Sequence, residues 1–152
     1  ASIVIGWTPT GTAGAADYFE IDDVQIEVSP VATPFERRPF EAELRACERH
    51  YEKSYNYATA PGTATSVGAC AAVAYIAGTT DWMDLRFKVR KRATPTMTLY
   101  SDASGATGNI RVVGVGDLAA TTPNPGEHGA YVNATTAAAA TLHAHYAADA
   151  GI

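Results

Sequence analysis

The chain has 152 residues, 47% of them apolar and 18% charged, with a formal net charge of -5 and two cysteines. This is about one domain's worth of ordinary globular sequence; its acidic balance argues against nucleic-acid binding, and two cysteines imply no disulfide framework. The longest apolar runs, 68–78 and 137–140, fall far short of the roughly 20 residues a spanning helix needs, and no basic-then-apolar leader opens the sequence, so neither membrane insertion nor a signal peptide is expected.

Residues 3–7 and 18–28 read as two strands joined by a Gly/Thr/Ala loop over 8–16. Two strands alone are marginal in water. They either pair with the C-terminal part of the chain or close a larger upstream module, and the abrupt start within strand-like sequence favours the second. Ala32-Thr33-Pro34-Phe35-Glu36 then turns a proline-fixed corner. From Phe40 to Lys53 the apolar residues Phe40, Leu44, Cys47 and Tyr51 are spaced by four, three and four, the one helical period in the chain. Pro39 suits a first turn, and Glu41 and Glu43 suit the positive helix end. Arg45, Glu48, Arg49 and Glu52 occupy the opposite face, available for spaced ion pairs. The helix is expected to cap one edge or end of the sheets, with Cys47 and Cys70 as buried thiols.

Period-two segments recur at 51–57, 69–76, 85–90, 96–101, 110–115, 131–135 and 141–146, each bounded by Gly, Pro, Asn or Asp. Together they predict an all-β fold, an antiparallel β-sandwich, jelly-roll-like, with one short connector helix. The chain divides accordingly into terminal strands of an upstream module, or paired N-terminal strands, at 1–29, a connector and helix at 30–54, and a distal sandwich at 55–152.

Three stretches carry a family resemblance. Phe19-Glu20-Ile21-Asp22-Asp23-Val24-Gln25-Ile26-Glu27 looks like the last strand of a jelly-roll carbohydrate-binding module of phage tail proteins. Residues 32–40 with Glu43-Leu44 and 47–54 are similar to the connector that comes after such a module, and 87–101, with Arg92-Ala93-Thr94-Pro95 at its centre, matches the same pattern. The chain therefore resembles the distal domain of a bacteriophage tail fibre or tailspike. It departs from the pattern at Gly151-Ile152, where Glu-Leu is the expected ending. The resemblance implies a homotrimer on the virion tail, attached to an upstream tail-fibre module, that either contacts a host surface polysaccharide or lipopolysaccharide or holds three chains in register. Small residues at 69–74 and 137–140 let backbones approach closely, and a domain of this size gains by burying faces between subunits.

Candidate chemistry is sparse. Glu20, Asp22, Asp23 and Glu27 suggest calcium, but strand alternation sends Asp22 and Asp23 to opposite faces, so a solvated strand is the preferred reading. His143 and His145 share a strand face and lack a third ligand; one histidine per chain near a threefold axis would supply three, though interface or surface histidines are the plainer reading. No metal or cofactor is assigned. Arg86, Lys88, Arg90 and Arg92 alternate with Phe87 and Val89, with Lys91 breaking the pattern. The stripe suits phosphate or carboxylate recognition, or an outward face pairing with acids such as Glu41 or Glu48.

Flat aromatic rings cover the apolar face of a sugar while neighbouring polar groups take its hydroxyls. Trp82, flanked by Asp81 and Asp84, is the leading glycan-binding candidate, followed by Tyr100 and Tyr131; a core or trimer-interface role for Trp82 is the alternative. There is no nucleophile elbow, phosphate-cradling glycine loop or Ser/His/Asp arrangement, so no catalytic residue is named. The expected function is host-surface glycan recognition, with a purely structural trimerisation or folding domain as the rival.

Overall fold

In the computed structural model the chain forms two compact units, Ala1–Arg38 and Pro39–Ile152. The structure describes residues 28, 30–31, 33–34, 37–75, 78 and 80–151. The N-terminal strands expected over 3–7 and 18–27, with Glu20, Asp22, Asp23 and Glu27, lie outside these residues.

The second unit is mostly β, with one short helix and antiparallel sheets. Helix α1 (Phe40–Glu48) starts on Pro39, whose carbonyl accepts the Ala42 and Glu43 amides at 2.9 and 3.3 Å. It ends sooner than the expected Lys53. Residues Tyr51–Lys53 instead form strand β1, paired with Asp149–Ala147, and the Ala150 amide donates to His50 O at 2.7 Å. Sheet pairing thus wins over helical periodicity at Tyr51. The helix also turns an unexpected face inward: Glu48 is buried, while Phe40 is 73% exposed and Cys47 is exposed rather than buried. Both α1 and β1 belong to the unit Pro39–Ile152.

The remaining strands are β2 (Cys70–Ala74), β3 (Thr80–Arg86), β4 (Thr96–Tyr100), β5 (Asn109–Val112), β6 (Gly116–Ala119), β7 (Gly129–Thr135) and β8 (Ala140–Asp149). The strand expected over 85–90 lies earlier, at β3, and residues 87–95 are irregular. β8 organises the main sheet. Its C-terminal half lies between β1 and β4 and its N-terminal half between β2 and β5, with β6 hydrogen-bonded to β5. β3 and β7 form a separate two-stranded sheet.

Residues 142, 144, 146 and 148 of β8 fall on one face by strand alternation. Leu142, Ala144, Tyr146 and Ala148 join Met83 and Leu85 of β3, Val132 and Ala134 of β7, and Leu99, Ile110 and Val112 in one buried cluster. Each fully buried Leu, Ile or Val contributes about 1.5–3 kcal/mol relative to its exposed state. The other face of β8 is buried too: His145 is fully covered and stacks on Tyr55 with ring centroids 3.8 Å apart. Burial on both faces explains the small residues of Ala144, Ala147 and Ala148. Among the described residues, no helix is long and apolar enough to cross a membrane.

Candidate functional site

The β3–β7 pair has one face in the core and one outside. Met83, Leu85, Ala130, Val132 and Ala134 are buried, so alternation sends 84, 86 and 131 outward. Their register is Asp84 opposite Tyr131 and Arg86 opposite Gly129, which sets a carboxylate beside an aromatic ring in directly opposed positions. Trp82 lies in the same strand opposite Asn133, and Asp81 opposite Ala134. Position 81 therefore has the parity of Met83 and Leu85, and position 82 that of Asp84; the side chains of both lie outside the described residues.

The turn over 121–129 walls this face. Thr121 and Asn133 exchange backbone hydrogen bonds of 3.0 and 2.8 Å, and Gly126 N donates to Gly129 O at 2.8 Å. The turn is tied to the segment after β3 by Phe87 N donating to His128 O at 3.2 Å and Lys91 N to Glu127 O at 2.8 Å. Asn124, between two prolines, adopts a left-handed backbone (φ 54°), which asparagine tolerates better than most residues. Its side-chain amide donates to the Tyr131 hydroxyl at 3.3 Å.

The result is an open groove of about 290 Å³ lined by Asp84, Arg86, Asn124, Glu127, His128 and Tyr131, among others. Its charges are paired: Arg86 Nε donates to Asp84 at 2.7 Å and Arg90 Nε to Glu127 at 2.6 Å. The Tyr131 ring, the Asn124 amide and the paired carboxylates of Asp84 and Glu127 give a surface suited to a polyhydroxylated ligand, with stacking for its apolar face and acceptors for its hydroxyls.

No family model, curated protein or solved structure matches this chain.

Of the five glycan-binding candidates, Asp84 and Tyr131 are neighbours in the groove. Tyr100 stands apart, in β4 opposite His145, packed edge-on against Tyr55 with centroids 6.1 Å apart. Asn124, Glu127 and His128 carry no signal of a site in the sequence; the Pro-Asn-Pro-Gly run marks a turn but not the strand it covers.

The two histidines of β8 are engaged separately. His145 Nε2 faces the carbonyl of Thr65 at 2.8 Å and must therefore carry the proton, leaving Nδ1 to accept from Ser54 Oγ at 2.8 Å. Ser54 Oγ in turn accepts the Tyr146 amide. This buried histidine is fully satisfied within its own chain. His143 instead meets the buried carboxylate of Asp102 at 3.1 Å, with Arg111 at 3.6 Å from the same oxygen. Among the described residues, no group of three or more His, Cys, Asp or Glu is arranged to hold a metal ion.

In β6, Asp117 is paired with Arg111 of β5 and accepts hydrogen bonds from Ser101 and Ser104. Those hydroxyls, then the guanidinium, hold its carboxyl below the usual range. A depressed folded value stabilises the fold above the unfolded carboxylate value, and that contribution is lost as pH falls through the folded one. Ser104→Ala is expected to raise the Asp117 midpoint in an NMR titration; an unchanged midpoint would mean that the serine does not hold the carboxylate.

Proposed function

We propose that this chain is the distal domain of a phage tail fibre, a homotrimeric antiparallel β-sandwich that recognises a host surface glycan through the outer face of β3 and β7. The observation that carries the reading is the groove in which Tyr131, Asp84 and Asn124 converge on one open surface. Support for the sandwich comes from two antiparallel sheets that contribute to one core. On this reading the protein resides on the virion tail and is joined to an upstream fibre module.

A structural role is the second reading, and a specific observation favours it: Phe40, Tyr75 and Val115 are 73%, 80% and 82% exposed, apolar surface that partner chains would cover. One experiment separates the two. Purified protein should label host cells or retain surface polysaccharide on an array, and scatter light as a trimer. Tyr131→Ala, Asp84→Ala and Trp82→Ala should each weaken retention by about tenfold or more, a loss of about 1.4 kcal/mol, with the trimer intact. A trimer that retains no glycan supports the structural reading. A monomer at micromolar concentration removes the trimer, and glycan binding unaffected by all three substitutions removes the groove.

A further inference from the structure

Lys91 and Glu52 face each other with essentially no solvent access, their side chains 0% and 1% exposed and Nζ 2.6 Å from Oε2. Two further donors reach the carboxylate: the Tyr146 hydroxyl donates to the other oxygen, Oε1, at 2.8 Å, and the Lys88 amide is shared between the two, 3.2 Å from Oε1 and 3.1 Å from Oε2. The Phe87 ring lies 4.9 Å from Nζ, and the backbone carbonyl of Glu48 accepts from the same ammonium. A dry amine beside a carboxyl that has two further donors brings together a nucleophile, an acyl carbon and groups able to hold an oxyanion.

We infer that Lys91 and Glu52 become joined by an isopeptide bond once the domain has folded. For the bond to form, the Lys91 ammonium gives a proton along its hydrogen bond to Oε2, so that an amine faces a carboxylic acid. The amine nitrogen attacks Glu52 Cδ, and negative charge developing on Oε1 is held by Tyr146 and Lys88 N–H. The C–Oε2 bond breaks, the departing oxygen takes a second proton from the nitrogen, and one water leaves for each amide formed. Burial and the neighbouring Glu52 raise the Tyr146 hydroxyl far above its ordinary value, so it stays protonated and able to donate. The bond ties β1 to the segment after β3, closing a loop that the unfolded chain would otherwise leave open.

Intact-mass spectrometry of the folded protein tests this. The wild type should weigh one water less than its sequence, and a denatured digest should yield a branched peptide joining Glu52 to Lys91. Lys91→Arg should show its full sequence mass. Glu52→Gln, which expels ammonia instead of water, should converge on the same final mass as the linked wild type. Tyr146→Phe should lower the linked fraction several-fold over the same incubation. Wild-type protein that is folded by circular dichroism and keeps its full sequence mass after prolonged incubation overturns the inference, as does a lost water that maps to other residues.

Discussion

Lys91→Met will lower the free energy of unfolding by about 3–5 kcal/mol, because removing one partner of a buried ion pair leaves the other charge uncompensated. Glu52 has two remaining donors, Lys88 N–H and Tyr146, but among the described residues no second cation on its carboxylate. The ammonium also binds the carbonyl of Glu48, so its loss loosens the end of α1 from the body of the domain. The figure is that of the unlinked ion pair; where the two residues are joined as an amide, the variant loses the covalent tie in place of the ionic contact. Glu52→Gln combined with Lys91→Met should recover much of the ionic part, because glutamine still accepts from Tyr146 and Lys88 without a buried charge. Urea titration of the three proteins measures the difference. A single variant within 1 kcal/mol of wild type would contradict a stabilising role for the pair.

Gly105→Ala should cost about 2–5 kcal/mol, the sum of a left-handed backbone penalty of about 1–2 and an overpacking penalty of about 1–3. Gly105 has φ +76°, and an added Cβ would stand 1.9 Å from Gly62 O, a backbone atom with no side-chain freedom to yield. The turn it closes presents Ser101 and Ser104 to Asp117 and Asp102 to His143, so strain there spreads to β5, β6 and β8. Gly114 is the control. Its φ is +83° with nothing within 4 Å of an added Cβ, so Gly114→Ala should lose only the backbone part. Equal losses at the two positions would show that the approach to Gly62 does not matter.

Much of the β-content is legible in the sequence because alternation survives where one face is buried, as in β7, whose residues from Gly129 to Ala134 alternate between partly buried and buried. In β8 the alternation is readable only over 141–146, and the extension to Asp149 is hidden because both faces are covered and Ala147 and Ala148 break no pattern and make none. β6 escapes for a related reason: four residues, Gly116–Ala119, carry a single partly buried apolar residue, Leu118. The helix shows the opposite failure. Phe40, Leu44, Cys47 and Tyr51 have a clean helical period, yet the inward anchor is Glu48, chosen by a long-range meeting with Lys88 and Lys91 that spacing cannot reveal. One sign is present: Lys91 falls out of step with the Arg86, Lys88, Arg90, Arg92 stripe, and it is the member that is buried. In the candidate groove, Asp84 and Tyr131 are legible as residue types, whereas their opposition depends on a pairing across 47 positions of chain between β3 and β7.

The central claim, that the outer face of β3 and β7 holds a glycan, is tested most directly by a crystal structure with a fragment of the polysaccharide the protein retains. The expected result is a sugar ring stacked on Tyr131, with hydroxyls within hydrogen-bond reach of Asp84 and Asn124. Sugar bound only at another surface, with this groove empty at saturating ligand, would contradict it.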